Sequence, residues 1–98
     1  KEYFKSEGKG SPAIFITRAQ SAGRGTRGRS FESPKDSGLY ISFLFYPDLS
    51  ATDAAYITTY AATRVSRAID RISNAEAPQT RIKWVNDIYL HDKKICGI

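Results

Sequence analysis

The sequence predicts a mixed α/β (α+β) fold, a mainly antiparallel sheet packed with helices, and three observations lead there. Runs rich in aromatic and β-branched residues recur at strand length, one longer stretch spaces its apolar residues at helical intervals, and short polar turns separate the closing runs. Strands outnumber helices in this reading.

Residues 1–12 mix charge, glycine and serine without apolar periodicity and read as a leading loop; residues 13–98 form the core. Ala13 to Arg18 is short, apolar and β-branched, which suits a strand with at least one buried face. Residues 19–38 hold Gly23, Gly25, Gly28, Pro34 and Gly38 among arginines and serines, so neither helix nor strand persists and a ligand-binding loop is expected. Leu39 to Tyr46 is dense in aromatic and branched residues and closes at Pro47, as a central strand would.

Ser50-Ala-Thr-Asp53 matches a capping box and starts a helix. Ala54, Ile57, Ala61, Val65, Ala68, Ile69 and Ile72 then recur at three- and four-residue spacing, a stripe expected to pack on the sheet. Beyond Pro78, Arg81 to Trp84, Asp87 to Leu90 and Lys94 to Ile98 read as short strands, with His91-Asp92-Lys93 turning the last hairpin. The final run reads as a strand just opening, so the chain is expected to be part of a longer protein.

Ninety-eight residues suit one domain near the lower end of comfortable stability. A lone cysteine, Cys96, forms no internal disulfide, and no run resembles a secretory signal or an apolar membrane span. A reducing, cytoplasmic setting is the expectation, with no membrane partner. The net charge of +5 is unevenly placed: Arg18, Arg24, Arg27 and Arg29 fall in one stretch without an acidic residue, which should attract anions.

Gly23-Arg-Gly-Thr-Arg-Gly-Arg29 contains the dinucleotide fingerprint GxGxxG literally, but that fingerprint needs a helix directly after the glycines. Phe31-Glu-Ser-Pro-Lys-Asp-Ser-Gly38 cannot start one, and no Gly-Lys-Ser/Thr makes a phosphate loop. What remains is a glycine-rich loop whose guanidinium forks suit phosphate or carboxylate. An arginine-glycine segment gripping nucleic-acid backbone is the competing reading. Strong strand patterns bracket the loop, which favours a folded site for a small phosphorylated molecule.

Lys83-Trp-Val-Asn-Asp87, followed by Lys94, supplies two ammonium groups, one carboxylate and one amide within a predicted hairpin. Alone, an Asn-Asp pair is a turn and lysines are solvated. Taken in order, Gln20-Ser-Ala-Gly-Arg-Gly-Thr-Arg-Gly-Arg29, Leu39-Tyr-Ile-Ser42, Lys83-Trp-Val-Asn-Asp-Ile88 and Lys93-Lys-Ile-Cys-Gly-Ile98 resemble the biotin–protein ligase family from about Ala13 onward.

The resemblance implies part of a catalytic domain with the class II aminoacyl-tRNA synthetase-like fold. It implies an enzyme, a biotin–[acetyl-CoA-carboxylase] ligase, that makes biotinyl-5'-AMP from biotin and ATP and passes biotin to a lysine of a biotin carboxyl carrier protein. By that likeness Gln20, Gly23, Arg24, Gly25 and Thr26 bind biotin, and the loop closes over the adenylate. Arg27, Arg29, Phe31, Asn86 and Asp87 face the nucleotide. Lys94 meets the biotin carboxylate and the adenylate phosphate, which makes Lys94 and Arg24 the catalytic candidates, and Asp87 helps position magnesium.

The chemistry asks for such groups. A carboxylate attacking the α-phosphate brings two anions together, so fixed cations must offset the repulsion and stabilise charge on the phosphate. No covalent nucleophile is required, which leaves Cys96 as a small core residue and His91 as a turn residue.

Three positions depart from the family pattern. Thr26 stands where the family has another arginine, Phe31 where it has tryptophan, and Val85 where it has proline before Asn-Asp. The loss at Thr26 bears on retention of the adenylate: it either loosens the closed loop or leaves the task to Arg27. The family's Ser-Thr-Asn segment is expected just before Lys1, and a DNA-binding domain is not visible. A homodimer through the sheet edge is expected from relatives. The rival readings are a lipoate–protein ligase, whose loop lacks the repeated Gly-Arg pattern, and a nucleic-acid module betrayed by steep salt dependence.

Overall fold

The computed structural model describes residues 10–30 and 34–98, which divide between Pro47 and Asp48 into two compact units. The fold is mixed α/β with antiparallel pairing throughout, as the residue patterns predict.

In the first unit, β1 (Ala13–Thr17) pairs with β2 (Tyr40–Leu44), from Ala13 opposite Leu44 to Thr17 opposite Tyr40. Alternation puts Ile14, Ile16, Ile41 and Phe43 on one face of this ribbon, and all four are exposed. The expectation of a central strand over Leu39 to Tyr46 needs correcting. Apolar residues on both faces suggested neighbours on both sides, yet β2 pairs with β1 alone among the described residues. Thr17 closes β1 by folding its side chain onto the chain ahead: its Oγ1 donates to the Ala19 carbonyl at 3.1 Å and accepts from the Ala19 amide at 3.3 Å.

The second unit opens with the predicted cap. Ser50 Oγ accepts from the Asp53 amide at 3.0 Å and donates to Asp53 Oδ2 at 2.8 Å, so the aspartate reaches back to the capping hydroxyl. The helix it starts, α1 (Ala51–Ala54), is one turn long. The Tyr56 amide bonds the Asp53 carbonyl three residues back, at 3.0 Å, and this tightening separates α1 from α2 (Ile57–Ser73). The single long helix expected from the apolar spacing is therefore two. Asn74 ends α2 in the left-handed conformation at φ 53°, which asparagine tolerates better than most residues.

α2 packs on β3 (Thr80–Lys83) and β4 (Asp87–Leu90), which with β5 (Lys93–Gly97) form an antiparallel sheet in the order β3-β4-β5. Ala62 and Ser66 are the buried residues of the helix; of the expected stripe Ile57, Ala61, Val65 and Ile69 are half-buried, while Ile72 is 83% exposed. Polar anchoring explains the inward face. Ser66 Oγ lies 2.6 Å from Thr80 Oγ1, and the Asp70 carboxylate accepts from the Gln79 amide at 2.9 Å, the Thr80 amide at 2.9 Å and Thr80 Oγ1 at 2.7 Å. These bonds draw the small face of α2 onto the start of β3 and leave the larger side chains flanking it. Ile82, Ile88 and Cys96 lie in register on one side of the sheet, and Ile88 is fully buried.

Candidate functional site

The arginine loop is a pinched hairpin on the first unit. Arg24 and Ser30 form an isolated antiparallel bridge, and the Gly25 amide donates to the Arg29 carbonyl at 2.6 Å. Between them Thr26–Gly28 makes one 3-10 turn, with Arg27 at φ 57° and Gly28 at φ 74°, both in the left-handed region. Glycine meets that demand without strain, whereas Arg27 holds it against the preference of an L side chain. Arg24, Arg27 and Arg29 are all exposed. Gly23 and Gly25 are half-buried and Gln20 is exposed. Thr26 begins the 3-10 turn; Phe31 lies outside the described residues.

Arg18 has a different task from the other arginines. Its guanidinium lies 3.8 Å from Asp36, and the Asp36 amide donates to the Arg18 carbonyl at 3.1 Å, so the pair draws the neck of the loop together. Both side chains are largely exposed, and a surface pair of this kind contributes little energy.

On the second unit, the side chains of the sheet sort by face. Thr80 and Ile88 point toward α2, so Arg81, Lys83, Asp87 and Tyr89 share the helix-free face. Lys94 joins them through its pairing with Tyr89. The Lys94 ammonium stands 2.9 Å from Asp87 Oδ1, each side chain about one-third exposed at 36% and 31%. The Lys83 ammonium lies 5.9 Å from the centre of the Tyr89 ring, within reach of a cation–π contact. Arg81, Lys83, Tyr89, His91 and Asp92 border a shallow open depression of about 290 Å³. Three cations, Arg81, Lys83 and Lys94, against two carboxylates, Asp87 and Asp92, leave this face with a net positive charge. Arg81 and Tyr89 were missed in the sequence reading, although period-two alternation from Lys83 and Asp87 would have found them.

Asn86, half-buried in the β3–β4 turn, donates from Nδ2 to the Ile98 carbonyl and so ties the turn to the end of β5. Cys96 is half-buried on the opposite side of the sheet from Lys94. Burial pushes its thiol pKa up, the Lys94 charge opposes the rise, and Asp87 adds to it, so the thiol stays protonated near neutrality. Among the described residues no three or more His, Cys, Asp or Glu side chains gather as metal ligands. Asp87, the carboxylate expected to help position magnesium, lies against the Lys94 ammonium at 2.9 Å.

Among the described residues no helix is long and apolar enough to cross a membrane. The chain is 34% identical over 85 residues to the bifunctional ligase/repressor BirA of Bacillus subtilis, covering 87% of this chain and 25% of that protein. It is 32% identical over 83 residues to BirA of Escherichia coli, covering 85% and 25%. With the biotin–[acetyl-CoA-carboxylase] ligase of Paracoccus denitrificans it shares 34% identity over 92 residues, covering 93% and 37%. The chain thus spans about a quarter to a third of the length of these relatives. No solved structure matches it. A sequence profile of the biotin/lipoate A/B protein ligase family matches residues 1–98, the whole chain, and the protein belongs to that family.

Proposed function

We propose that this chain is part of the catalytic domain of a biotin–protein ligase, which activates biotin with ATP and transfers it to a lysine of a biotin carboxyl carrier protein. The observation that carries the reading is the Lys94–Asp87 pair. Two motif residues seven apart in sequence meet at 2.9 Å, on the sheet face that α2 leaves open. The biotin–[acetyl-CoA-carboxylase] ligase among the relatives favours biotin over lipoate within the family.

In the first half-reaction a biotin carboxylate oxygen attacks the α-phosphorus of ATP. The new P–O bond forms as the bond to pyrophosphate breaks, and pyrophosphate leaves with its magnesium. The reading gives Lys94, Arg24 and Arg29 the work of offsetting repulsion between the two anions and of stabilising charge on the phosphate oxygens. Gln20, Gly23, Gly25 and Thr26 border biotin; Arg27, Phe31, Asn86 and Asp87 face the nucleotide side. In the second half-reaction the neutral amine of the acceptor lysine attacks the acyl carbon of the mixed anhydride, AMP departs with the bonding electrons, and the amine loses a proton. Neither step needs an enzyme nucleophile, in keeping with a protonated Cys96. A cytoplasmic setting and a homodimer belong to the same reading.

Calorimetric titration of the intact protein with biotin, then with ATP and magnesium, tests it. Saturable biotin binding followed by adenylate formation is the expected result. Lipoate in place of biotin as the better ligand would move the protein to the lipoate branch, and salt-sensitive binding to oligonucleotides without biotin binding would overturn the reading.

A further inference from the structure

Side chains alternate along a strand, so residues three apart normally face opposite ways. Lys94 and Gly97 do not. Lys94 pairs with Tyr89 and Gly97 with Asp87, and Tyr89 and Asp87 share a face of β4. The register shift between Ile88 and Tyr89 absorbs Ile95 as the extra residue of a β-bulge, and that one residue brings Lys94 and Gly97 to the same side.

The consequence lies in the space between them. A Cβ on Gly97 would stand 3.3 Å from Lys94 Cε, 3.4 Å from Nζ and 4.0 Å from Asp87 Oδ1. The lysine chain therefore runs over bare backbone at Gly97 to reach the carboxylate of Asp87, 2.9 Å from its ammonium. At about one-third exposure the pair is shielded enough to hold its geometry and open enough to meet a ligand. An ammonium carries three donors, so contact with Asp87 does not by itself use them all.

We infer that Asp87, Gly97 and the Ile95 bulge form a positioning device for Lys94, with the Asp87 carboxylate serving the ammonium instead of a resident divalent cation. This rests on the reading that Lys94 meets the anionic groups of biotin and its adenylate. A lysine left to itself samples many rotamers, and ordering it before the ligand arrives removes that entropy loss from the binding step. Gly97 contributes by what it lacks: a Cβ there would stand tight against Lys94 Cε and Nζ and require the lysine end to shift by a few tenths of an ångström.

The test uses the intact enzyme and two readouts, biotin affinity without nucleotide or metal, and the magnesium concentration that half-saturates adenylate formation. Asp87→Asn should weaken metal-free biotin binding roughly tenfold, the loss of one charge-assisted contact that orders the lysine. It should leave the magnesium requirement unchanged, and Asp87→Glu should recover part of the affinity. Gly97→Ala should reproduce the loss with Asp87 intact, and in a Lys94→Ala background Asp87→Asn should have no further effect. Normal metal-free affinity in Asp87→Asn with a raised magnesium requirement would assign the carboxylate to the cation and overturn the inference. Normal biotin affinity in Lys94→Ala would instead remove Lys94 from the site, and with it the reading on which the inference stands.

Discussion

Gly28→Ala separates the backbone of the arginine loop from its charges. Gly28 holds φ at +74°, and a Cβ there would meet nothing within 4 Å, so alanine introduces no clash. Its effect is torsional, about 1–2 kcal/mol for an L residue in the left-handed region. That cost falls on a turn closed by the Arg24–Ser30 bridge and the Gly25–Arg29 hydrogen bond. If the closed turn is what retains biotinyl-adenylate, an equilibrium shifted by that amount speeds escape about 5- to 30-fold. The assay forms labelled adenylate on the intact enzyme, chases with unlabelled biotin and follows the loss of bound label, beside a thermal melt. Faster escape with a melting temperature close to the parent's is the expected outcome. An unchanged escape rate would refute the link between the left-handed turn and retention.

Thr26→Arg, which restores the family's usual residue, should slow the same escape; equal rates would show that Arg27 or another group already does the work. Ile88 is fully buried at the centre of the three-stranded sheet, so Ile88→Ala should cost about 2–5 kcal/mol, read from the urea midpoint, and a loss below that range would mean the site collapses around the vacancy. Cys96 should alkylate slowly at neutral pH, with a rate midpoint above that of a cysteine peptide, because burial raises its pKa; a midpoint at or below the peptide value contradicts that placement. The Asp70 pKa is lowered chiefly by the hydrogen bond from Thr80 Oγ1, then by backbone amides of Thr80 and Gln79. Its stabilising contribution is thus present above the unfolded carboxylate pKa of about 3.9 and is lost as pH falls through the lower folded value. Asp70→Asn should flatten that part of the acid melt, and an identical acid profile would remove the clamp from the account.

The strands and the cap were legible because each is written locally. Ala13 to Thr17 and Asp87 to Leu90 carry their own apolar and branched residues, and Ser50 needs only Asp53. What depends on a distant partner was not. The spacing of α2 marks an apolar stripe, but the face that turns inward is chosen by Thr80, which binds Ser66 and Asp70 from 14 and 10 residues away. Four clustered arginines look alike in sequence, and only the fold assigns Arg18 to Asp36. The roles of Arg24, Arg27 and Arg29 were read from glycine spacing and resemblance, and the structure adds a 3-10 turn at Thr26–Gly28 and leaves all three exposed. The bulge at Ile95 leaves no trace in Lys93-Lys-Ile-Cys-Gly97, since either regular register would satisfy the local pattern.

The two cationic segments differ in how they are held, and the proposed reaction asks for that difference. Charge that stabilises a transition state is most effective when its position is fixed beforehand, because no reorganisation is then required as the phosphate gains charge. Lys94 meets that condition on a strand, across from a carboxylate and over a glycine. A group that admits biotin and then retains its adenylate must instead change position between the two events, which calls for a segment of low local stability. Arg24, Arg27 and Arg29, all exposed, suit that role on a turn closed by a bridge and a close backbone bond. Exchanging the properties should separate the functions: loosening Lys94 should slow adenylate formation, whereas stiffening the arginine turn should slow biotin entry and adenylate loss together.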